Sequence, residues 1–360
     1  MQEIRMLQLN FQKGWRGGER QTLYNMIGFR NAGCQVSLLC RKGSLMESRA
    51  KAEGFDIKST GNILSVILFL AFKCRKYNIL HAQTSHIFTY AVITKFFHRG
   101  KVIYTRRIDK AQHGRFTKWK YHQADKVIAI SEAVREIVEK FINRKVVVIS
   151  DIGVVRKLDE IHAQKLMENV RYNKETKIIA TTSALTRDKA PDDMVEAIRI
   201  LNLKRKDFIF LHFGSGDLWE EIEKLIKDNH LEDVYYLMGF ADNVEDIFFK
   251  LDVFAMSSEM EGLGSSVLDA FLYKVPVAST DAGGLKELVE DGRGILCKKN
   301  SPKLLAAGIE ELLYNPELSS KITTNAFQYV KHFHSIEYIT NQYMELINSL
   351  FYKSKNSRLA

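Results

Sequence analysis

The run from Ser257 to Asp291, SSEMEGLGSSVLDAFLYKVPVASTDAGGLKELVED, concentrates residues able to do chemistry. Glu261 falls in the turn that follows the apolar run VFAM. Gly262-Leu263-Gly264 comes next, and a helix opens near Ser265 or Ser266. The N–H groups at a helix start, approached closely over glycines, suit a phosphate. Seven residues separate Glu261 from Asp269, which lies one turn into the helix. Two carboxylates so placed can face one mouth and stay well apart. Carboxylates accept hydrogen bonds from vicinal hydroxyls, so the spacing suits one acid on a sugar and one on a ribose. The bland alternative makes Glu261 a turn acid beside a helix dipole and Asp269 a surface residue.

These residues need elements to hold them. The chain has 360 residues, 46% hydrophobic and 27% charged, a globular balance with room for two domains. Strand-like and helix-like runs alternate, which implies parallel sheets covered on both faces. The first series runs from strand Met6–Asn10 to strand Val146–Ser150, and the second from strand Lys177–Thr182 to about residue 330. The expected fold is α/β, with two Rossmann-like domains facing across a cleft. The first covers 1–155 plus a returning C-terminal helix within 335–360, and the second covers 174–334. Residues 156–173 are expected to supply a linker and a first helix. In open α/β sheets ligands bind at the carboxyl ends of the strands, which puts the expected site in the cleft.

Charge and cysteine usage narrow the partners. Residues 1–150 carry 27 Lys and Arg against 10 Asp and Glu, whereas the remainder is mildly acidic. A basic half suggests an anionic partner such as nucleic acid, anionic lipid or a phosphorylated substrate. The four cysteines form no CxxC pair, so a zinc ribbon or thioredoxin-type site is excluded, and scattered thiols suit a reducing cytosol. The apolar run Ile63–Phe72 is too short to span a bilayer. It reads as a buried helix or an interfacial segment. No signal-peptide layout is seen at the start. The expected location is cytoplasmic, with peripheral attachment to the inner face of the membrane as an option.

The run EGLGSSVLDAFLYKVPVASTDAGGLKELV resembles the signature of the retaining glycosyltransferases of family 4, which have the GT-B fold. The resemblance extends over nearly the whole chain, through GWRGGERQTLYNMIGFRNAGCQVSLL, ILHAQTSHIFTYAVI, ADKVIAISEAVREIVEKF, VVVISDIGV and FGSGDLWEEIEKLI. It implies that Glu261 contacts the donor sugar and Asp269 the ribose. Gly262, Leu263, Gly264, Ser265 and Ser266 would hold the diphosphate. The family commonly has Glu where Asp269 stands, one methylene longer.

The resemblance also assigns Lys189 to the donor phosphates, where a cation offsets charge gathering on the leaving diphosphate. The family's arginine five residues earlier is replaced by Ala184, and Arg187 is the candidate substitute. Gly17 and Gly18, with Arg16 as a nearby cation, match the family's glycine turn. They do not form a GxGxxG fingerprint. Gly214 and Gly216 either approach the nucleotide or cap a helix. Arg106 and Arg107 stand where the family often has a histidine. They bind acceptor phosphate or the donor, or pair with Asp109. His81 faces the acceptor or fills a polar core role. His332 and His334 form an HxH pair with no visible third ligand. No Asp-x-Asp motif occurs, which argues against the metal-dependent GT-A class, and no cofactor or metal is expected.

The expected activity is retaining transfer of a hexose from a UDP- or GDP-linked donor to a glycan or lipid-linked acceptor, in lipopolysaccharide core or surface-polysaccharide synthesis. Two alternatives are a nucleotide-sugar epimerase of the same fold and a basic nucleic-acid-binding protein. For the latter, neither aromatic interleaving nor a nucleic-acid motif is present.

Overall fold

Buried runs such as ILHA and VFAM are the mark of strands covered on both faces, and they lie at the centres of two parallel sheets. A computed structural model describes residues 3–356. Among these, the chain divides after Ile152 and again after Phe333. Residues up to Ile152 and from His334 onward form one compact unit, and Gly153–Phe333 form the other.

In the first unit the order is β1 (Arg5–Asn10), α1 (Gly17–Asn31), β2 (Gln35–Arg41), α2 (Leu45–Ala52), β3 (Asp56–Thr60), α3 (Ile63–Phe72) and β4 (Ile79–Ala82). Then come α4 (Ser85–Ile93), α5 (Lys95–His98), β5 (Lys101–Arg106), α6 (Arg115–Gln123), β6 (Lys126–Ala129), α7 (Glu132–Ile142) and β7 (Val147–Val148). The second unit contains α8 (Glu160–Leu166), β8 (Lys177–Thr182), α9 (Pro191–Lys204), β9 (Phe208–Phe213), α10 (Trp219–Asp228), β10 (Tyr235–Gly239) and β11 (Val253–Met256). It continues with α11 (Ser265–Leu272), β12 (Val277–Thr280), α12 (Gly284–Val289), β13 (Ile295–Cys297), α13 (Pro302–Tyr314) and α14 (Pro316–Phe333). The last helix, α15 (Ile336–Asn356), belongs to the first unit. The end of the returning helix expected within 335–360, residues 357–360, lies outside the described residues.

The strand orders are β3-β2-β1-β4-β5-β6-β7 and β10-β9-β8-β11-β12-β13. Each order reverses direction once, between β1 and β4 in one sheet and between β8 and β11 in the other. The loops leaving the carboxyl ends of those strand pairs diverge there and leave a crevice. Register across the second switch point sets Val253 against Ile179 and Phe254 against Ala180.

Helix α15 is fastened to the first unit by close packing. A Cβ on Gly28 of α1 would lie 2.1 Å from Thr340 Oγ1. The wholly buried Tyr343 ring meets Phe29 edge-on at 5.4 Å, and its hydroxyl lies 3.3 Å from Thr105 Oγ1.

Several expected boundaries shift. The sequence pattern predicts one helix over 63–77, but the helix ends at Phe72, before the cationic stretch Lys73–Lys76. The pattern likewise predicts one helix over 86–97, but it breaks at Thr94 into α4 and α5. The strand expected over Val146–Ser150 pairs only at Val147–Val148. Strand β3, DIKST, has no apolar run to announce it. It is an edge strand without a fully buried residue.

Candidate active site

Strands β8 and β11 lie side by side, so the loops leaving their carboxyl ends are neighbours. The first passes through a 3₁₀ turn, Arg187–Lys189, and reaches α9 through Ala190, whose φ is +43°. The second carries Glu259–Gly264. Backbone hydrogen bonds lock the two loops together. The N–H groups of Glu259 and Met260 both donate to the Asp188 carbonyl, at 3.0 and 3.1 Å. Ser257 Oγ donates to the carbonyls of Lys189 and Ala190 at 3.0 and 2.9 Å.

The geometry that results is a charged pair. Lys189 Nζ lies 2.8 Å from Glu261 Oε2 and 3.1 Å from the Met260 carbonyl, with Asp188 Oδ2 at 3.3 Å. Both side chains of the pair are 18% exposed, sheltered yet reachable. Burial works against the lysine's charge, but Glu261 and then Asp188 outweigh it, so its pKa is raised and the ammonium stays charged. Asp188 titrates below its ordinary value despite partial burial, because Thr186 and Lys189 stabilise the carboxylate.

The Glu261 turn is fixed from below by the Gly-Gly turn. Gly284 N–H donates to the Glu261 carbonyl at 2.9 Å, and a Cβ on Gly284 would lie 2.5 Å from the Gly262 carbonyl oxygen. Gly262 and Leu263 are buried. Gly264 holds φ +95° at the head of α11, a left-handed conformation that favours glycine. Ser265 and Ser266 form the first turn of α11 and are half-buried. Asp269 is nearly buried on the following turn, and its charge acts on the Tyr273 hydroxyl. The structure therefore brings Glu261 to Lys189, while Asp269 is 8% exposed rather than a surface residue.

Other sequence-predicted residues take structural positions. A Cβ on Gly214 would lie 1.8 Å from the Ser183 carbonyl oxygen, and one on Gly216 2.2 Å from that of Leu185. Packing against the β8 loop requires both glycines. Arg187 turns to α10, where its guanidinium pairs with Glu221 at 2.7 Å on the open surface. It does not join Lys189. Beneath this region His212 is fully buried, hydrogen-bonded to the Tyr235 hydroxyl at 2.7 Å. Burial pushes its pKa down to about 4.

At the switch point of the first unit, Gly17 and Gly18 open α1. Arg16 is exposed just before them, and its N–H donates to Glu19 Oε2 at 3.0 Å. A Cβ on Gly18 would sit 3.6 Å from Arg107 Cδ, an ordinary contact, so neighbours within the unit do not demand glycine there. Arg107 is mostly buried and pairs with Asp151. Burial opposes its charge, but Asp151, Tyr343 and Glu19 hold its pKa above the ordinary value. Arg106 is spent on the loop that follows β5, donating to the carbonyls of Ile108 and Lys110 at 2.9 and 2.8 Å. His81 has no exposure. Its Nε2 lies 2.8 Å from Thr105 Oγ1, and burial pushes its pKa down to about 3. The structure corrects its expected place beside an acceptor, since the ring lies within the core. The second histidine of the HxH pair is likewise occupied: His334 Nδ1 lies 2.8 Å from the Asp151 carbonyl oxygen. Ser257 and Asp188 were not anticipated. No pattern marks a serine or a backbone carbonyl that fastens one loop to another.

Comparison with known proteins follows the same division. Residues 15–151 match the domain family Glycosyltransferase Family 4, and residues 162–329 match Glycosyl transferases group 1. Together the matches take in more than four fifths of the chain. The chain belongs to the family 4 and group 1 glycosyltransferases. It is 27% identical over 222 residues to an uncharacterized glycosyltransferase, MJ1178, of Methanocaldococcus jannaschii, covering 61% of this chain and 58% of that one. It is 25% identical over 187 residues to the poly(ribitol-phosphate) alpha-N-acetylglucosaminyltransferase of Staphylococcus aureus, covering 51% of this chain and 38% of that one. The chain thus spans roughly half the length of these curated relatives. Among solved structures, Anabaena HepE in complex with UDP and glucose has a TM-score of 0.84 at 18% identity, covering 96% of this chain and all of that one. That likeness establishes the shared GT-B fold for this family member.

Proposed function

We propose that this protein is a retaining glycosyltransferase that moves a hexose from a UDP-linked donor to a glycan or lipid-linked acceptor during lipopolysaccharide-core or other surface-polysaccharide assembly. The observation that carries the reading is the Lys189–Glu261 pair at the switch point of the second sheet, beside the glycine turn that opens α11. Glu261 offers a carboxylate to sugar hydroxyls. Lys189, kept charged by that same carboxylate, turns to the diphosphate as the leaving group gains charge. The N–H groups of Ser265 and Ser266 at the head of α11 add to that cationic field. These groups need no metal or cofactor to do so. Asp269 serves the ribose. Retention follows if a donor phosphate oxygen takes the acceptor proton on the face from which the nucleotide leaves, and then no side chain need act as general base.

UDP is preferred to GDP because HepE, which shares the fold, was crystallised with UDP and glucose. A phosphorylated acceptor suits the basic first unit, and the S. aureus relative is named for one. A phosphorylated acceptor would approach at Gly18, where no neighbour in the unit demands glycine, beside exposed Arg16. The test is calorimetric titration with UDP, GDP and ADP, followed by turnover assays with UDP-hexoses. UDP should bind most tightly, and Glu261→Ala should leave UDP binding largely intact while removing turnover. Failure of all three nucleotides to bind the folded protein would overturn the reading.

A further inference from the structure

Helix α3 turns apolar side chains to solvent. Of its ten residues, ILSVILFLAF, only Val66, Leu70 and Ala71 are buried. Leu64 is 66% exposed and Phe72 67%, and Leu68 is also exposed. Helix α3 packs beside α4 and α5, and α5 adds Phe96, 85% exposed, and Phe97. The rings of Phe72 and Phe97 lie 6.1 Å apart and those of Phe97 and Phe96 5.8 Å apart, so the aromatic rings run together across the two helices. A patch of this kind on a water-soluble surface marks an interface.

Its surroundings identify the partner. Residues 57–108 contain nine Lys and Arg and no Asp or Glu. Arg75 Nε donates to the Phe97 carbonyl at 3.1 Å, which fixes a guanidinium at the border of the aromatic rings. Lys73, Lys76 and Arg99 are exposed nearby in the chain. No helix among the described residues is long and apolar enough to cross a membrane. A short apolar face edged by cations instead lies in the plane of an anionic lipid surface. A second copy of the chain fits poorly, since it would set one basic border against another.

We propose that the α3–α5 face of the first unit docks on an anionic lipid bilayer. Leu64, Leu68, Phe72, Phe96 and Phe97 enter the boundary between headgroups and acyl chains, and the cationic border meets lipid phosphates. The inference stands apart from donor chemistry, because none of these residues belongs to the Lys189–Glu261 site.

The experiment is co-sedimentation of the full chain with phosphatidylcholine vesicles, with and without phosphatidylglycerol, at low and high salt. The protein should sediment with anionic vesicles at low salt and leave them in high salt. The double variant Phe72→Ser/Phe96→Ser should partition about a hundredfold less, on the order of tenfold per ring withdrawn. Its melting temperature should match the parent's, because both rings are exposed. Three results would each overturn the proposal: no sedimentation of the parent at low salt, equal binding by the double variant, or light scattering that shows a dimer which the double variant breaks.

Discussion

Lys189 Nζ and Glu261 Oε2 stand 2.8 Å apart although they lie 72 positions apart in the chain. Adjacency of β8 and β11 at the switch point brings them together, and the Asp188 carbonyl holds the two loops in register by accepting from Glu259 and Met260. Under the proposed function the two residues carry different duties. Glu261→Ala should lower kcat by about 10²–10³, the size of effect seen when one charge-stabilising group leaves an active site. Lys189→Ala should weaken UDP binding about tenfold as well as slowing transfer. The pair is sheltered but still reachable, so each change should cost about 1–3 kcal/mol of stability, between the exposed and the buried extremes. Turnover assays, titration calorimetry and melting curves on the two variants separate these effects. Parental kcat in Glu261→Ala would remove the assignment.

The glycines after β9 should respond differently. A Cβ on Gly216 would meet the Leu185 carbonyl oxygen at 2.2 Å and the carbonyl carbon at 2.7 Å. Both are backbone atoms that cannot swing aside. Gly216→Ala should therefore destabilise the second unit by about 3 kcal/mol, the upper range for overpacking. Activity and melting temperature should fall together. A variant with the parental melting temperature but lost UDP binding would show instead that the glycine serves the nucleotide.

How much of this was legible in the sequence depends on the kind of signal. The apolar runs at 177–182 and 208–213, bounded by polar residues, each predict a strand, and those limits coincide with β8 and β9. The Glu261 turn was legible because acid, glycines and helix start are contiguous. Its partner was legible only through family resemblance, since nothing local ties Lys189 to a residue 72 positions away. Arg106 and Arg107 show the opposite failure. Their cationic character reads as a binding site, but the fold spends both on internal partners. Asp151, the acid that takes Arg107, is too distant in sequence to be chosen over the adjacent Asp109. Exposure was equally hidden. The run Ile63–Phe72 reads by composition as either a buried helix or an interfacial segment, and only the packing shows which of its sides is left uncovered.

Arg107 yields a prediction of its own. Its side chain is 12% exposed and that of Asp151 5%, so removing the guanidinium strands a buried carboxylate. Arg107→Ala should cost about 3–5 kcal/mol of stability, the penalty for breaking a buried ion pair from one side. Arg107→Ala/Asp151→Ala should recover part of that loss, because no charge is left uncompensated. Denaturant titration of the two variants decides the matter. An Arg107→Ala protein as stable as the parent, with impaired transfer, would return Arg107 to the acceptor site.

Two buried histidines set the response to acid. Burial depresses the pKa of His81 to about 3 in the first unit and that of His212 to about 4 in the second, both from an ordinary 6.5. The native protein thus resists protonation while the unfolded chain accepts it. Between pH 6.5 and the folded pKa the unfolded state binds more protons, so stability falls as pH falls. Each histidine should remove about 1.4 kcal/mol per pH unit below 6.5, or about 2 kcal/mol each at pH 5. Above pH 7 the two contribute no slope. His81→Asn keeps a polar group near Thr105 but cannot titrate. It should lower stability at pH 7 and reduce the loss between pH 6.5 and 4 for the first unit, leaving the slope of His98, whose pKa burial also lowers, and that of His212 in the second. Urea titrations at pH 7, 6 and 5 measure both slopes. A His81→Asn protein with the parental pH dependence would mean that His81 is protonated in the folded state and that its hydrogen bonds to Thr105 and Gln8 are not those of a neutral ring.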